Sequence, residues 1–214
     1  MTRYLPLLEQ LDAWQDTARA AHPGVIPCRP GCSACCHGPF DISVADADVV
    51  ATAVAALPEA VRRPIVVLAT AQLEQMRELA PTLAAPWDVS SLGDEAFDDL
   101  CEALAEERCP ALDPTGSCSI YAARPLVCRI MGLGLQSSGG GEIPNACPIQ
   151  DDFPEYASLP AQPFDLPAWE DHEEEALREA ATRRLGNPVR TRFETTVAGA
   201  ILLASHRPNP SPDS

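Results

Sequence analysis

The amino-acid sequence predicts a mainly α-helical fold with irregular cysteine-rich loops and a few short strands, organised as a single domain. Three observations predict it. Apolar residues recur at helical spacing in several segments of ten or more residues. Proline and glycine end those segments and gather with the cysteines in two stretches that lack any helical period. No internal repeat and no sharp shift of composition divides the 214 residues, a length that one hydrophobic core can serve.

The first helix is expected over residues 5–21, where Leu5, Leu8, Leu11 and Trp14 form one stripe and Glu9, Asp12 and Asp16 supply the wet side. His22-Pro23, Gly24 and Pro27 stop it. Residues 28–40, CRPGCSACCHGPF, read as a loop. Ser43 with Asp46 makes a capping-box-like start for a helix through Leu57, which Pro58 breaks. The next helix runs from about Glu59 to Leu79, with Pro64 tolerable only near its first turn. After a proline-bearing connection, a helix over Asp94 to Glu107 places Phe97, Leu100, Cys101 and Leu104 on one face. From Cys109 to Cys147 the texture changes to a turn at Asp113-Pro114-Thr115-Gly116, short extended pieces and a glycine tract. Residues 148–167 read as a Pro-rich surface connection, followed by helices over Pro167 to Leu185 and Arg192 to Ser205. The organisation expected is an N-terminal helix (1–27), a cysteine-cluster unit with a helical insertion (28–148), C-terminal helices packing on the same domain (149–206) and a disordered tail (207–214).

Composition narrows the function. All 15 basic residues are arginine, so no Schiff-base lysine, lysine general base or Walker-type phosphate lysine exists. A formal net charge of −16 argues against a nucleic-acid partner and against an anionic membrane surface. The N-terminus lacks the uninterrupted apolar stretch of a signal peptide, and the longest apolar run, Val197 to Ala204, is about half a membrane span. A cytoplasmic location is expected. In that reducing compartment, closely spaced cysteines point to metal more than to disulfides.

There are nine cysteines in two clusters plus one outlier. The first cluster is Cys28, Cys32, Cys35 and Cys36; the second is Cys109, Cys118, Cys128 and Cys147. Thiolates three or four residues apart in a glycine-bearing loop can wrap a zinc ion or an iron–sulfur cluster. Adjacent Cys35 and Cys36 send their side chains in different directions, so the eight thiols can serve one shared site or two. Cys109 and Cys147 are each followed by proline, as is the last cysteine of bacterial ferredoxin runs, which favours iron–sulfur. Arg124 and Arg129 flank Cys128 and are candidates to donate hydrogen bonds to thiolates and offset their charge. Their plainer reading is surface ion pairing in an acidic protein. Cys101 reads as a small core hydrophobe, His37 as a loop residue or a mixed ligand, and His22, His172 and His206 carry no site signal. The run Glu170 to Glu175 reads as the solvated first turns of a helix.

The joint pattern CRPGCSACC, CPALDPTGSCSIYAARPLVCR and a late Cys-Pro resembles the YkgJ-type CxxCxxCC cysteine-cluster family over about residues 28–148. The resemblance implies metal binding by a zinc- or iron-chelating domain without an assigned reaction, some members sitting in flagellin lysine N-methylases. The first gap here is three residues where the family pattern has two.

The expectation is therefore a single metal-organised domain with an iron–sulfur cluster for a redox or electron-transfer role, acting with a redox or protein partner that the sequence does not name. The alternative is a zinc-stabilised adaptor whose acidic helical surface binds a partner. A radical S-adenosylmethionine enzyme is less favoured: Cys28-x3-Cys32-x2-Cys35 matches that spacing and Gly140-Gly141-Glu142 is suggestive. However, Ala34 stands where an aromatic residue is usual, and the helical stretch between the clusters lacks βα units. A conventional methyltransferase loop has only Gly132-Leu-Gly134 to offer, without the third glycine or the following helix.

Overall fold

The computed structural model describes residues 3–204. The chain opens with α1 (Tyr4–Ala21), and β1 (Asp41–Ser43) leads directly into α2 (Val44–Ala56) and α3 (Glu59–Leu79). There follow α4 (Asp94–Ala103), α5 (Leu126–Ile130), β2 (Leu135–Ser137), β3 (Glu142–Ile143), α6 (Pro154–Ala157), β4 (Gln162–Phe164) and α7 (Leu166–Leu185). The described chain ends with β5 (Glu194–Thr196) and α8 (Val197–Leu203). The mainly helical, single-domain class is as the sequence predicts. None of these helices is long and apolar enough to cross a membrane.

The core is built on α2 and α8. Val44, Ala45, Ala47, Val49, Val50, Ala51 and Val54 of α2 are all buried, and so are the buried acids Asp46 and Asp48. A helix that hides most of its circumference needs partners on several sides. Helices α8 and α7 pack on α2, and α3 packs on α8. The two central helices start alike. Strand β1 pairs antiparallel with β5 in the register Asp41↔Thr196, Ile42↔Thr195, Ser43↔Glu194, and each strand runs straight into its helix. Ser43 caps α2 by accepting from the Asp46 N–H at 3.1 Å, and Thr196 caps α8 by accepting from the Gly199 N–H at 3.2 Å.

Buried polar bonds fasten the outer helices to this core. Asp48, 1% exposed, accepts from Arg183 and from Arg184, whose Nε stands at 2.6 Å, locking the end of α7 to α2. Trp169 donates from its indole to the Leu7 carbonyl at 3.0 Å, joining α7 to α1. Tyr4 of α1 donates to Glu173 of α7 at 3.4 Å, and Arg3 pairs with Glu175 and Glu179.

Several expectations change. The helices between the two cysteine clusters are the centre of the core and not an insertion, because α2 and α3 supply the surface on which α8 folds. The segment expected as one helix over 192–205 begins as β5, since residues 194–196 hydrogen-bond to β1 before the chain turns helical; Ser205 lies outside the described residues, as do His206 and the tail 207–214. The connection 148–167 carries α6 and β4, and Tyr156 within it is buried. The Asp94 helix ends at Ala103, and on it Leu100 is buried while Cys101 is only half-buried.

Candidate metal centre

Local turns form the first cluster. The Cys32 N–H donates to the Arg29 carbonyl at 2.9 Å and the Cys36 N–H to the Ser33 carbonyl at 3.0 Å, so residues 28–36 wind through two successive tight turns. The second cluster is stitched to it through the main chain: the Cys109 N–H donates to the Cys36 carbonyl at 2.9 Å and the Gly38 N–H to the Glu107 carbonyl at 2.7 Å. The predicted turn after Cys109 then folds back on itself. Asp113 accepts from the Thr115 N–H at 2.8 Å and the Ser117 N–H at 2.9 Å, and Cys118 faces Leu112 in a bridge. Helix α5 presents Cys128, its first turn capped by the Asp46 carboxylate, which accepts from the Leu126 N–H at 2.9 Å. The glycine tract turns β2 back into β3, with β2 also pairing parallel to β4, and the returning chain delivers Cys147.

The result brings the two clusters together. Cys28, Cys32, Cys35, Cys36, Cys109, Cys118 and Cys128 all border one cavity of about 60 Å³ with mostly apolar walls. A second cavity of about 20 Å³ is bordered by Cys28, Cys32, Cys35 and Cys147. Every one of the eight predicted cysteines therefore lines one space or the other, and three line both. Cys101 and His37 line neither. All nine cysteines are free thiols. The sulfurs border a space more than they converge on a point: as placed, no three Cys, His, Asp or Glu side chains among the described residues are disposed to hold one ion.

Burial and neighbouring thiols favour the neutral form of Cys28, Cys35, Cys109, Cys118 and Cys128 until something displaces the proton. Burial pushes the Cys109 thiol up to about 12, with Cys118 and Cys35 adding to the effect. Cys128 lies well above its ordinary value for the same first reason, with Cys109, Cys35, Cys118 and Asp46 nearby. Cys35 is raised first by its hydrogen bond with Cys36 and then by burial. Soft cations bind thiolate and not thiol, so loading this site must release protons. Thiol chemistry and apolar walls together fit zinc or an iron–sulfur cluster far better than a hard, oxygen-seeking ion.

The two candidate arginines part company. Arg124 borders the larger cavity, sits 4.2 Å above the Tyr121 ring, and its charge offsets part of the burial felt by Cys118. Arg129 does not face the thiols. It is 1% exposed, and its guanidinium donates to the Arg124 carbonyl at 3.0 Å, the Ala122 carbonyl at 2.8 Å and Asp12. Its place is that of a brace between α5 and α1, because α1 lies directly over α5 and offers Asp12 there. Asp12 also accepts from Arg124 at 2.6 Å.

Sequence reasoning missed four residues around the site. Gln15 is 2% exposed, lines the larger cavity, and donates to the Arg129 and Met131 carbonyls. Arg19 stands beside Cys28. Tyr156, 1% exposed, donates to the Gly132 carbonyl at 2.6 Å, and Asn145 accepts from the Cys147 N–H at 3.0 Å. Gly132 has φ +91°, and a Cβ there would stand 3.2 Å from both Cys28 Cβ and the Tyr156 oxygen, so only glycine lets these groups close around the smaller cavity. The helical stripe of α1 hides Gln15 and Arg19 among ordinary polar positions, and a tyrosine in a proline-rich connection carries no signal of its own.

A helical domain that gathers eight thiols from two distant stretches of chain around adjoining cavities is a cysteine-cluster protein of the chelating kind. Residues 27–148 match the model of the CxxCxxCC family, described as "Putative zinc- or iron-chelating domain", and the chain belongs to that family. Metal binding is thus supported by the family and by the donor set alike. No curated protein and no solved structure matches the chain.

Proposed function

We propose that the chain serves a redox or electron-transfer role through iron–sulfur chemistry, in one shared site or two, with thiolate ligands drawn from Cys28, Cys32, Cys35, Cys36, Cys109, Cys118, Cys128 and Cys147. The observation that carries this reading is the 60 Å³ cavity with seven thiols on its border. A zinc ion draws its sulfurs to about 2.3 Å and leaves no room between them. An iron–sulfur core puts inorganic atoms between the ligands, and a space several times the roughly 10–15 Å³ that admits one water suits it better. Bound there, such a cluster supplies one-electron transfer. The chain's own residues do the rest: the apolar walls exclude water, and Arg124 offsets thiolate charge near Cys118.

A zinc-stabilised adaptor is the second reading, favoured by the 20 Å³ cavity with four thiols, which is the size for one atom-like occupant. In that reading the −16 net charge supplies the partner-binding surface.

Anaerobic purification followed by iron, zinc and labile-sulfide analysis separates them. Brown protein with iron and sulfide in comparable amounts, its visible absorbance bleaching on reduction, is the expected result. Colourless protein with zinc and no sulfide overturns the iron–sulfur reading. Cys32→Ala and Cys128→Ala are expected to lose the metal while Cys101→Ala keeps it; equal metal content in all three overturns the ligand assignment.

A further inference from the structure

We infer that Arg19, in the last turn of α1, is a positioning residue for the metal centre, its unpartnered Nε–H being the hydrogen-bond donor to the Cys28 sulfur once that sulfur binds metal. The inference rests on Cys28 being a ligand and holds for zinc and iron alike. It also lies outside the matched span 27–148, so the family assignment does not contain it.

The guanidinium of Arg19 is held in place by two of its three nitrogens. Nη2 donates to Gln15 Oε1 at 2.7 Å and Nη1 to Asp16 at 2.9 Å. Gln15 is itself anchored by the Arg129 and Met131 carbonyls, both just beyond Cys128 in the chain, so the orientation of Arg19 is tied to the cavity wall. The third nitrogen, Nε, is buried and has no acceptor. A buried donor without a partner is destabilising, and structures keep one where something else completes it. The sulfur at hand is Cys28, which borders the same cavity as Gln15, the residue that holds the guanidinium.

A neutral thiol is a weak acceptor, whereas a metal-bound thiolate is anionic and calls for donors. Outer hydrogen bonds of this kind orient ligands and raise metal affinity. The arrangement is therefore incomplete without metal and becomes satisfied with it. Ion pairing with Asp16, which is 74% exposed, adds little to the fold.

The test uses the whole chain, stripped of metal and titrated anaerobically with cobalt(II) against a chelator. Arg19→Leu is expected to weaken cobalt binding about tenfold, the lower end of what such outer contacts contribute. It should also shift the thiolate-to-cobalt charge-transfer band, while the thermal midpoint of the metal-free protein changes little, because the orphaned donor is gone but the buried Gln15 Oε1 loses its partner. Wild-type affinity in Arg19→Leu, with binding lost in Cys28→Ala, overturns the inference alone. Wild-type affinity in Cys28→Ala overturns the ligand reading beneath it. Full rescue by Arg19→Lys would show that charge suffices and remove the Nε–H from the account. An equal loss of metal-free stability in Arg19→Leu would make the role structural.

Discussion

Gly199, in the first turn of α8, shows how tightly single positions are set. A Cβ there would fall inside van der Waals contact with Thr195 Oγ1 and 3.1 Å from Trp87 Cβ. Helix propensity favours alanine over glycine by about 1 kcal/mol, but overpacking a buried contact costs about 1–3 kcal/mol. The second effect wins here, because Thr195 is fully buried and held in register opposite Ile42. Gly199→Ala is expected to lower stability by about 1–2 kcal/mol in denaturant titrations; a gain would show that α8 can slide. Nothing in the sequence distinguishes this glycine from one in a loop. The cysteines were legible for the opposite reason: thiols at short spacing in a Gly/Pro-rich loop have few other uses. Adjacency in sequence to Cys128 says nothing about direction: of the two readings open for Arg129, ion pairing is the one it adopts, with Asp12 of α1, but in a buried place and not at the surface.

Between elements, the α1–α7 contact makes a pH-dependent seam. Glu173 is half-buried, and burial first, then the charges of Asp46 and Glu170, push its carboxyl up to about 7, against the opposing hydrogen bond from Tyr4. The folded state therefore holds this proton more tightly than the unfolded chain, whose glutamate titrates near 4.5. Folding stability falls as pH rises across that window and the contribution is fully lost above about 7. Glu173→Gln is expected to flatten the slope of metal-free stability between these limits by about 1–2 kcal/mol, after allowance for solvent screening. Asp46, pushed up to about 6 mainly by burial, adds a slope of the same sign and remains in the variant. An unchanged profile would place Glu173 in water. At this scale the sequence was most readable where caps and breakers are local: Ser43 and Pro58 delimit α2 and α3 as predicted. It was least readable at β1 and β5, whose three residues each form a ladder only because the partner lies far along the chain.

For the whole molecule, the distribution of buried residues decides what metal removal does. Helices α2, α3, α7 and α8 bury a continuous apolar cluster, reinforced by Asp48 with Arg183 and Arg184, and none of these helices carries a cysteine. Cys109 and Cys118 touch that cluster only from its margin. A chain of this length does not need metal to reach the folding threshold, unlike a zinc finger, which is unfolded without it. On the proposed ligand assignment, metal organises the loops around residues 28–36 and 109–147 while the helical core stands on its own. A metal at about a thousandfold its dissociation constant adds about 4 kcal/mol, which for a domain of this size is about 8–16 °C in the thermal midpoint. Chelation is expected to lower the midpoint by that order while leaving most of the far-ultraviolet helical signal in place at room temperature. Amide exchange should then accelerate in the cysteine loops and stay slow in α2 and α8. Collapse of the helical signal on chelation would mean that the thiol centre, and not the α2–α8 pairing, nucleates the fold.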